Sequence, residues 1–293
     1  MAHYSFFVNT IIFMKILLIN PPTLKDEVWV REGRCQQFDI WGAPFPPLSL
    51  AYIAGQIKII AEYLIIDAGT EHLSMDEVME KIEFFKPDVL VISCATPTIK
   101  NDLDIFAGKA KNILPNVKTV VIGIHVTSLP KETLKEFPEI DFVVMGEPEM
   151  IMQELISTIN QNRDVADVQG IGYRKNGQII INSKREFVKN LDELEPPVWK
   201  GVNFSNYKMP IINKPFNLIT FARGCPFSCK FCASSTYYGK IIRKRSPVKI
   251  IEEIKENISR GIYDFLFWTE FVTGDREYLM AVLGVIKSAD LHK

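Results

Sequence analysis

The sequence predicts an α/β protein: a doubly wound parallel sheet over the first half, then a shorter second run of strands and helices. Three observations predict it. Residues 14–156 alternate short β-branched apolar runs with amphipathic stretches of helical period, the pattern of a parallel sheet covered on both faces. A hairpin signal and a proline-bearing stretch then interrupt that alternation. Beyond them come strand, loop, helix, strand and helix, with three of the chain's five cysteines on the loop.

The first strand is expected at 16–19, stopped by Asn20-Pro21-Pro22. The others are expected at 64–66, 89–93, 119–123 and 142–146, each a buried-type run rich in Val and Ile. Helices are expected from Leu48 to about Ala61, over 75–85 after a Ser74 N-cap, over 100–114 and over 130–137. Residues 170–182 read as a hairpin turning on Asn176-Gly177, the strongest short hairpin signal, and 191–199 as an extended, proline-stiffened connector. A strand at 216–221 precedes Arg223-Gly224, where the chain breaks into the cysteine loop. Ser246-Pro247 opens a helix to about Ser259 that Gly261 ends, 262–268 is the next strand, and a helix runs from Asp275 to about Ser288. The expected divisions are a leader over 1–13, a first domain over 14–160, a hairpin and linker over 161–213, and a second unit over 214–293.

A chain of 293 residues with 47% apolar content has room for two globular units. The net charge of −1 gives no reason to expect nucleic acid or an anionic membrane as a partner, and Arg243-Lys244-Arg245 reads as a solvated loop face. No run reaches the ~20 apolar residues of a membrane span. The apolar leader lacks the charged start and small-residue cleavage site of a signal peptide, and Met14 is an alternative start; a cytoplasmic location is expected.

Cys225, Cys229 and Cys232 fall within eight residues at C-x3-C-x2-C spacing. Three thiolates so spaced can ligate three irons of a 4Fe-4S cube and leave the fourth free for substrate. A closed zinc site wants four ligands, and the nearest downstream histidine is His292. A disulfide framework fits an odd number of thiols poorly. Cys94 reads as a small packing residue and Cys35 as a free thiol.

This loop, with Phe231 before its last cysteine, resembles the C-x3-C-x-aromatic-C loop of the radical S-adenosylmethionine (SAM) enzymes. The resemblance implies that Cys225, Cys229 and Cys232 hold a 4Fe-4S cluster, that its open iron chelates SAM, and that reductive cleavage yields a 5'-deoxyadenosyl radical. It makes Phe231 a neighbour of the adenine, unless it simply packs in the core. It also implies a partial (β/α) TIM-type barrel of six units, of which two are present, so the sequence reads as an amino-terminal portion of such an enzyme. The stretch Phe267-Trp268-Thr269-Glu270 keeps one acid of the family's acidic pair. Glu270 is expected to accept hydrogen bonds from SAM, the alternative being a solvated loop acid.

The first half resembles the Rossmann-like cobalamin-binding domain that precedes many radical SAM cores. The resemblance rests on the Asn20-Pro21-Pro22 opening, the helix start at 46–54, the strand at 87–93, Gly123-Ile124-His125-Val126-Thr127 and residues 141–147. The strand ends collect Asn20, Ser93, Thr96, Gly123, His125, Thr127, Gly146 and Glu147 on one rim, a cofactor crevice by position. Gly123 and Gly146 serve equally as tight-turn residues. The Asp-x-His-x-x-Gly motif that supplies an axial histidine is absent, because Asp67 and His72 have the wrong spacing. His125 is expected to bond a backbone carbonyl in its βα turn rather than face the ring.

The expected function is therefore SAM cleavage with cobalamin, for methylation or rearrangement of a small molecule, with flavodoxin or ferredoxin as electron donor. The alternatives are a non-catalytic cobalamin and iron-sulfur binding fragment, and a zinc-binding interaction module.

Overall fold

The computed structural model describes residues 14–23, 29–32, 36–37 and 44–291. The leader and Cys35 lie outside them. Five strands, β1 (Met14–Asn20), β2 (Ala61–Asp67), β3 (Val89–Ser93), β4 (Lys118–Ile122) and β5 (Phe142–Val144), pair in parallel in the order β2-β1-β3-β4-β5. The order reverses direction between β1 and β3, which is where open α/β sheets bind ligands beyond the carboxyl ends. β2 begins three residues earlier than expected because it pairs with β1 over its full length, Met14 opposite Ala61 and Asn20 opposite Asp67. The preceding helix, α1 (Leu48–Ile57), ends correspondingly early.

The hairpin expected as part of a linker belongs to this sheet. Its strands β6 (Ile171–Lys175) and β7 (Gln178–Ile181) extend the sheet antiparallel to β5, with Phe142 opposite Tyr173, to give seven strands. Asn176 and Gly177 both take positive φ, as a two-residue hairpin turn requires.

Alternate residues along the strands face opposite layers. Ile16 and Leu18 pack with Leu50, Ile53 and Ile57 of α1 and with Ile151 and Leu155 of α6 (Pro148–Asn160). Leu17 and Ile19 pack with Val78 and Ile82 of α2 (Met75–Phe85), Phe106, and Ala107 and Ala110 of α3 (Ala107–Ile113). Ser74 caps α2 in a capping box with Glu77. The stretch read as one helix over 100–114 starts instead as a wide π-type turn at Asn101–Phe106. There Asp102 turns inward to a buried pair with Arg31, which also bonds Thr98 Oγ1 at 3.0 Å.

The second unit has two parallel strands, β8 (Phe216–Thr220) and β9 (Asp264–Trp268), a short α7 (Ser234–Tyr237), and two long helices, α8 (Pro247–Ser259) and α9 (Arg276–Ser288). Ile219 and Phe221 pack beneath Ile250, Ile254 and Val282. The two halves share α1, which is apolar all round and therefore buried on both sides. Its Leu48, Ala51 and Tyr52 meet Trp199, Tyr207, Phe216 and Leu218. The connector is pinned as well: Val198 N–H donates to Ala51 O at 2.9 Å, and the Tyr207 hydroxyl donates to Asp67 at 2.7 Å. No helix among the described residues is long and apolar enough to cross a membrane.

Candidate cofactor cleft and cysteine loop

The strand ends create the rim. At the end of β4, Gly123 has φ +126, and a Cβ there would stand 2.4 Å from the Cys94 carbonyl oxygen, so the turn admits only glycine. It starts a short helix, α4 (Ile124–Ser128), that carries His125 and Thr127 where the sequence suggested only a turn. Thr127 Oγ1 donates to Gly123 O at 2.8 Å and accepts from Gly146 N–H at 3.0 Å, which ties the tips of β4 and β5 together. His125 Nδ1 lies 3.3 Å from Thr96 Oγ1. Its expected partner was a backbone carbonyl; α4 turns the ring across to the β3 tip instead. Burial holds the His125 pKa below its ordinary value.

The eight rim residues do not all converge on one cavity. Thr127, Gly146 and Glu147 form the floor of an open cleft of about 1170 Å³, larger than the ~300–1,000 Å³ usual for small-molecule pockets. Residues 184–189 form one wall and 235–244 the other. Thr96 and His125 stand beside it on the β3 and β4 tips. Asn20 and Ser93 lie at the β1/β3 crevice. The Ser93 carbonyl accepts from Arg31 at 3.0 Å, and Asn20 Nδ2 donates to Asp67 at 3.2 Å. Asp67, held also by Thr70 and Tyr207, has its pKa raised by burial against those bonds. Asn20 Oδ1 is buried with no hydrogen-bond partner among the described residues. An acceptor so placed fits the amide-rich edge of a corrinoid.

The cysteine loop leaves the end of β8. Ala222-Arg223 pairs antiparallel with Arg243-Lys244, and Gly224 follows with φ +96. A Cβ on Gly224 would lie 2.2 Å from Ile241 O. Its N–H donates to Glu270 Oε2 at 3.0 Å, and Cys225 N–H donates to Gly239 O at 3.1 Å. Glu270 is half-buried rather than a free loop acid: partial burial raises its pKa, and its carboxylate clamps the start of the loop. Cys225 is half-buried, Cys229 and Cys232 are exposed, and all three are free thiols; Cys94 is buried as expected. The donor set fits an iron-sulfur cluster with one open iron. Among the described residues no group of three or more His, Cys, Asp or Glu side chains is already gathered for a metal, these cysteines included. Phe227 packs edge-on against Phe271 at 5.2 Å, whereas Phe231 is 89% exposed and takes no part in the core.

Sequence reasoning missed the groups that join cleft and loop. Arg243 and Arg245, expected on a solvated face, are buried: Arg243 turns inward from its two-residue strand to Glu147, and Arg245, just beyond it, pairs with Glu253. Lys244, the outward one, pairs with Asp275. Arg243 grips Glu147 with two bonds of 2.8 Å. Arg223 bonds Glu149 at 2.7 Å and Glu147 at 3.4 Å, between the rings of Tyr52 and Tyr238. Burial opposes the Arg223 charge, yet Glu149 and Glu147 outweigh it and hold its pKa above the ordinary arginine value. Glu149 Oε2 has no hydrogen-bond partner among the described residues and lines a small cavity shared with Ser49, Tyr237, Trp268 and Glu270. Glu32 caps α1 by accepting from Ser49 N–H at 2.8 Å and Ser49 Oγ at 3.0 Å, and burial pushes its pKa up to about 7. The available signal was position: Glu147 follows a rim glycine and Arg223 precedes the loop glycine.

Residues 41–156 match the B12 binding domain family, so the first unit is a B12-binding domain. The chain is 36% identical over 241 residues to the uncharacterized methyltransferase PH0819 of Pyrococcus horikoshii, covering 82% of this chain and 50% of that protein. It is 34% identical over 242 residues to the anaerobic magnesium-protoporphyrin IX monomethyl ester cyclase of Rubrivivax gelatinosus, covering 80% and 42%. The fold matches the radical SAM methyltransferase TsrM of Kitasatospora setae with TM-score 0.70 at 16% identity, over 94% of this chain and 51% of that one. TsrM has been solved with a SAM analogue and with cobalamin and a [4Fe-4S] cluster. This chain is a homologue of the cobalamin-dependent radical SAM methyltransferases and cyclases. It spans about half the length of the curated relatives it matches.

Proposed function

We propose that the chain binds a corrinoid along the rim between Gly123 and Gly146 and assembles a 4Fe-4S cluster on Cys225, Cys229 and Cys232. SAM binds between the two, for methylation or rearrangement of a small-molecule substrate. One observation carries this reading: the B12-binding domain and the chain returning from the cysteine loop form the floor and a wall of one cleft. When bound, the cluster supplies the electron that cleaves SAM and the corrinoid carries a methyl group.

The chain's own residues supply position and environment. Thr127 keeps the two strand tips beside the corrinoid site at a fixed separation. Glu270 fixes Gly224, and with it the approach of the first thiol. The free oxygen of Glu149 accepts from a ligand donor, while Tyr52, Tyr237, Tyr238 and Trp268 keep water away from it. Exposed Cys229 and Cys232 leave the cluster within reach of a flavodoxin or ferredoxin.

The test is electron paramagnetic resonance of anaerobically reconstituted, reduced protein with and without SAM. A cluster signal that shifts on adding SAM supports the reading. A protein that takes up zinc and no iron under those conditions contradicts it.

A further inference from the structure

Between the rim and the first cluster cysteine runs a continuous, buried path of charge. Glu147 immediately follows the rim glycine Gly146, and both its oxygens are held by Arg243 at 2.8 Å. Arg243 stands opposite Arg223 in the two-residue ladder, and Arg223 precedes Gly224-Cys225. Arg243 also reaches the remaining cleft walls: it donates to Val188 O at 2.9 Å and Tyr238 O at 2.6 Å, and lies 5.1 Å from the Phe187 ring centre. One guanidinium therefore holds the floor and both walls of the cleft, one ladder rung from the cysteine loop.

We propose that Arg243 is a positioning residue that couples occupancy of the cleft to assembly of the cluster. The proposal rests on the reading of the cleft as a corrinoid site and of the loop as a cluster site. Three thiolates that share one cluster must converge on it, which moves the loop that begins at Gly224. Gly224 cannot move freely, since its positive φ leaves no room for even a Cβ beside Ile241 O and its N–H is bonded to Glu270. Its displacement is passed through Arg223 and Arg243 to Glu147 and Val188, on the floor and a wall of the cleft. A planar, bidentate guanidinium in a buried setting transmits such a shift; a lysine, holding a single point charge, does not. Linkage requires the effect to be reciprocal: whatever factor the cluster adds to corrinoid affinity, the corrinoid adds to cluster binding.

The experiment measures the affinity of the full chain for hydroxocobalamin, with and without prior reconstitution with iron and sulfide. It is run on the wild type, Arg243→Lys and Glu147→Gln. The wild type is expected to show a ratio of about fivefold or more between the two states. Both variants should still bind each cofactor, with the ratio reduced toward one. Variants that bind hydroxocobalamin more weakly but keep the wild-type ratio would show Arg243 to be merely structural and overturn the proposal. A wild-type ratio of one, with both cofactors bound, overturns the coupling alone. Failure of the wild type to take up either cofactor overturns the underlying functional reading, and the coupling with it.

Discussion

At the scale of single residues, the protein places ionisable groups where water would otherwise solvate them. Glu32 is the clearest case, with a pKa pushed from 4.5 to about 7 by burial, partly offset by its bonds to Ser49. A carboxyl raised in the folded state contributes most below pH 4.5, and that contribution is lost as pH rises through 7, where the folded protein must bury the charge. Between those values stability falls by about 3 kcal/mol on this account. Glu32→Gln keeps an acceptor for Ser49 N–H, so it should flatten this slope in urea unfolding between pH 4.5 and 8; an unchanged slope would show that Glu32 is not its source. Cys229→Ala should abolish iron uptake on reconstitution and leave hydroxocobalamin binding measurable, whereas retained iron would remove Cys229 from the ligand set. The three cysteines were legible in the sequence because their spacing is local. The partners of Glu147, Glu149 and Arg243 were not, because charges 74 to 96 positions apart meet only through the fold.

At the scale of elements, strands and helices were legible wherever one period dominated, as in β1, β3, α2 and α8. Misreadings fell where a tertiary contact overrode the local pattern. The helix over 100–114 opens into a π-type turn because Arg31 draws Asp102 inward, and β2 is lengthened by its pairing with β1. The hairpin was visible from Asn176-Gly177, but nothing local said that it would join the main sheet. The turn at Gly224 is an element whose form one atom decides. Gly224→Ala combines positive φ with an approach of 2.2 Å to Ile241 O. Strain of this kind costs ~1–3 kcal/mol, so the variant should melt earlier by differential scanning calorimetry and reconstitute with less iron. An unaltered melting curve and iron content would show that the turn relaxes freely. Ser74→Ala, which breaks the capping box of α2, should cost about 1 kcal/mol in urea unfolding and, since Ser74 belongs neither to the cleft lining nor to the cysteine loop, leave iron uptake unchanged. A loss below a few tenths would mean the box adds nothing there.

At the scale of the whole molecule, the two halves are joined by burial on both faces of α1 and by the paired arginines and glutamates. Removing one member of a buried ion pair leaves an uncompensated charge and costs ~3–5 kcal/mol, so the halves are expected to unfold together rather than in sequence. That the sheet is parallel and doubly wound could be anticipated from the alternation of strand and helix, and the rim from the strand ends; the strand order could not. The cleft itself could not, because its walls come from residues 184–189 and 235–244, distant in sequence from the Thr127 and Gly146 they face. The central claim is that one chain brings corrinoid and cluster to a shared cleft. It is tested most directly by anaerobic gel filtration of the full chain after incubation with hydroxocobalamin, iron and sulfide, with cobalt, iron and protein quantified in the same peak. The account predicts about one corrinoid and about four irons per chain, eluting together with folded protein. A folded protein peak free of cobalt, or one that carries zinc in place of iron, would contradict it.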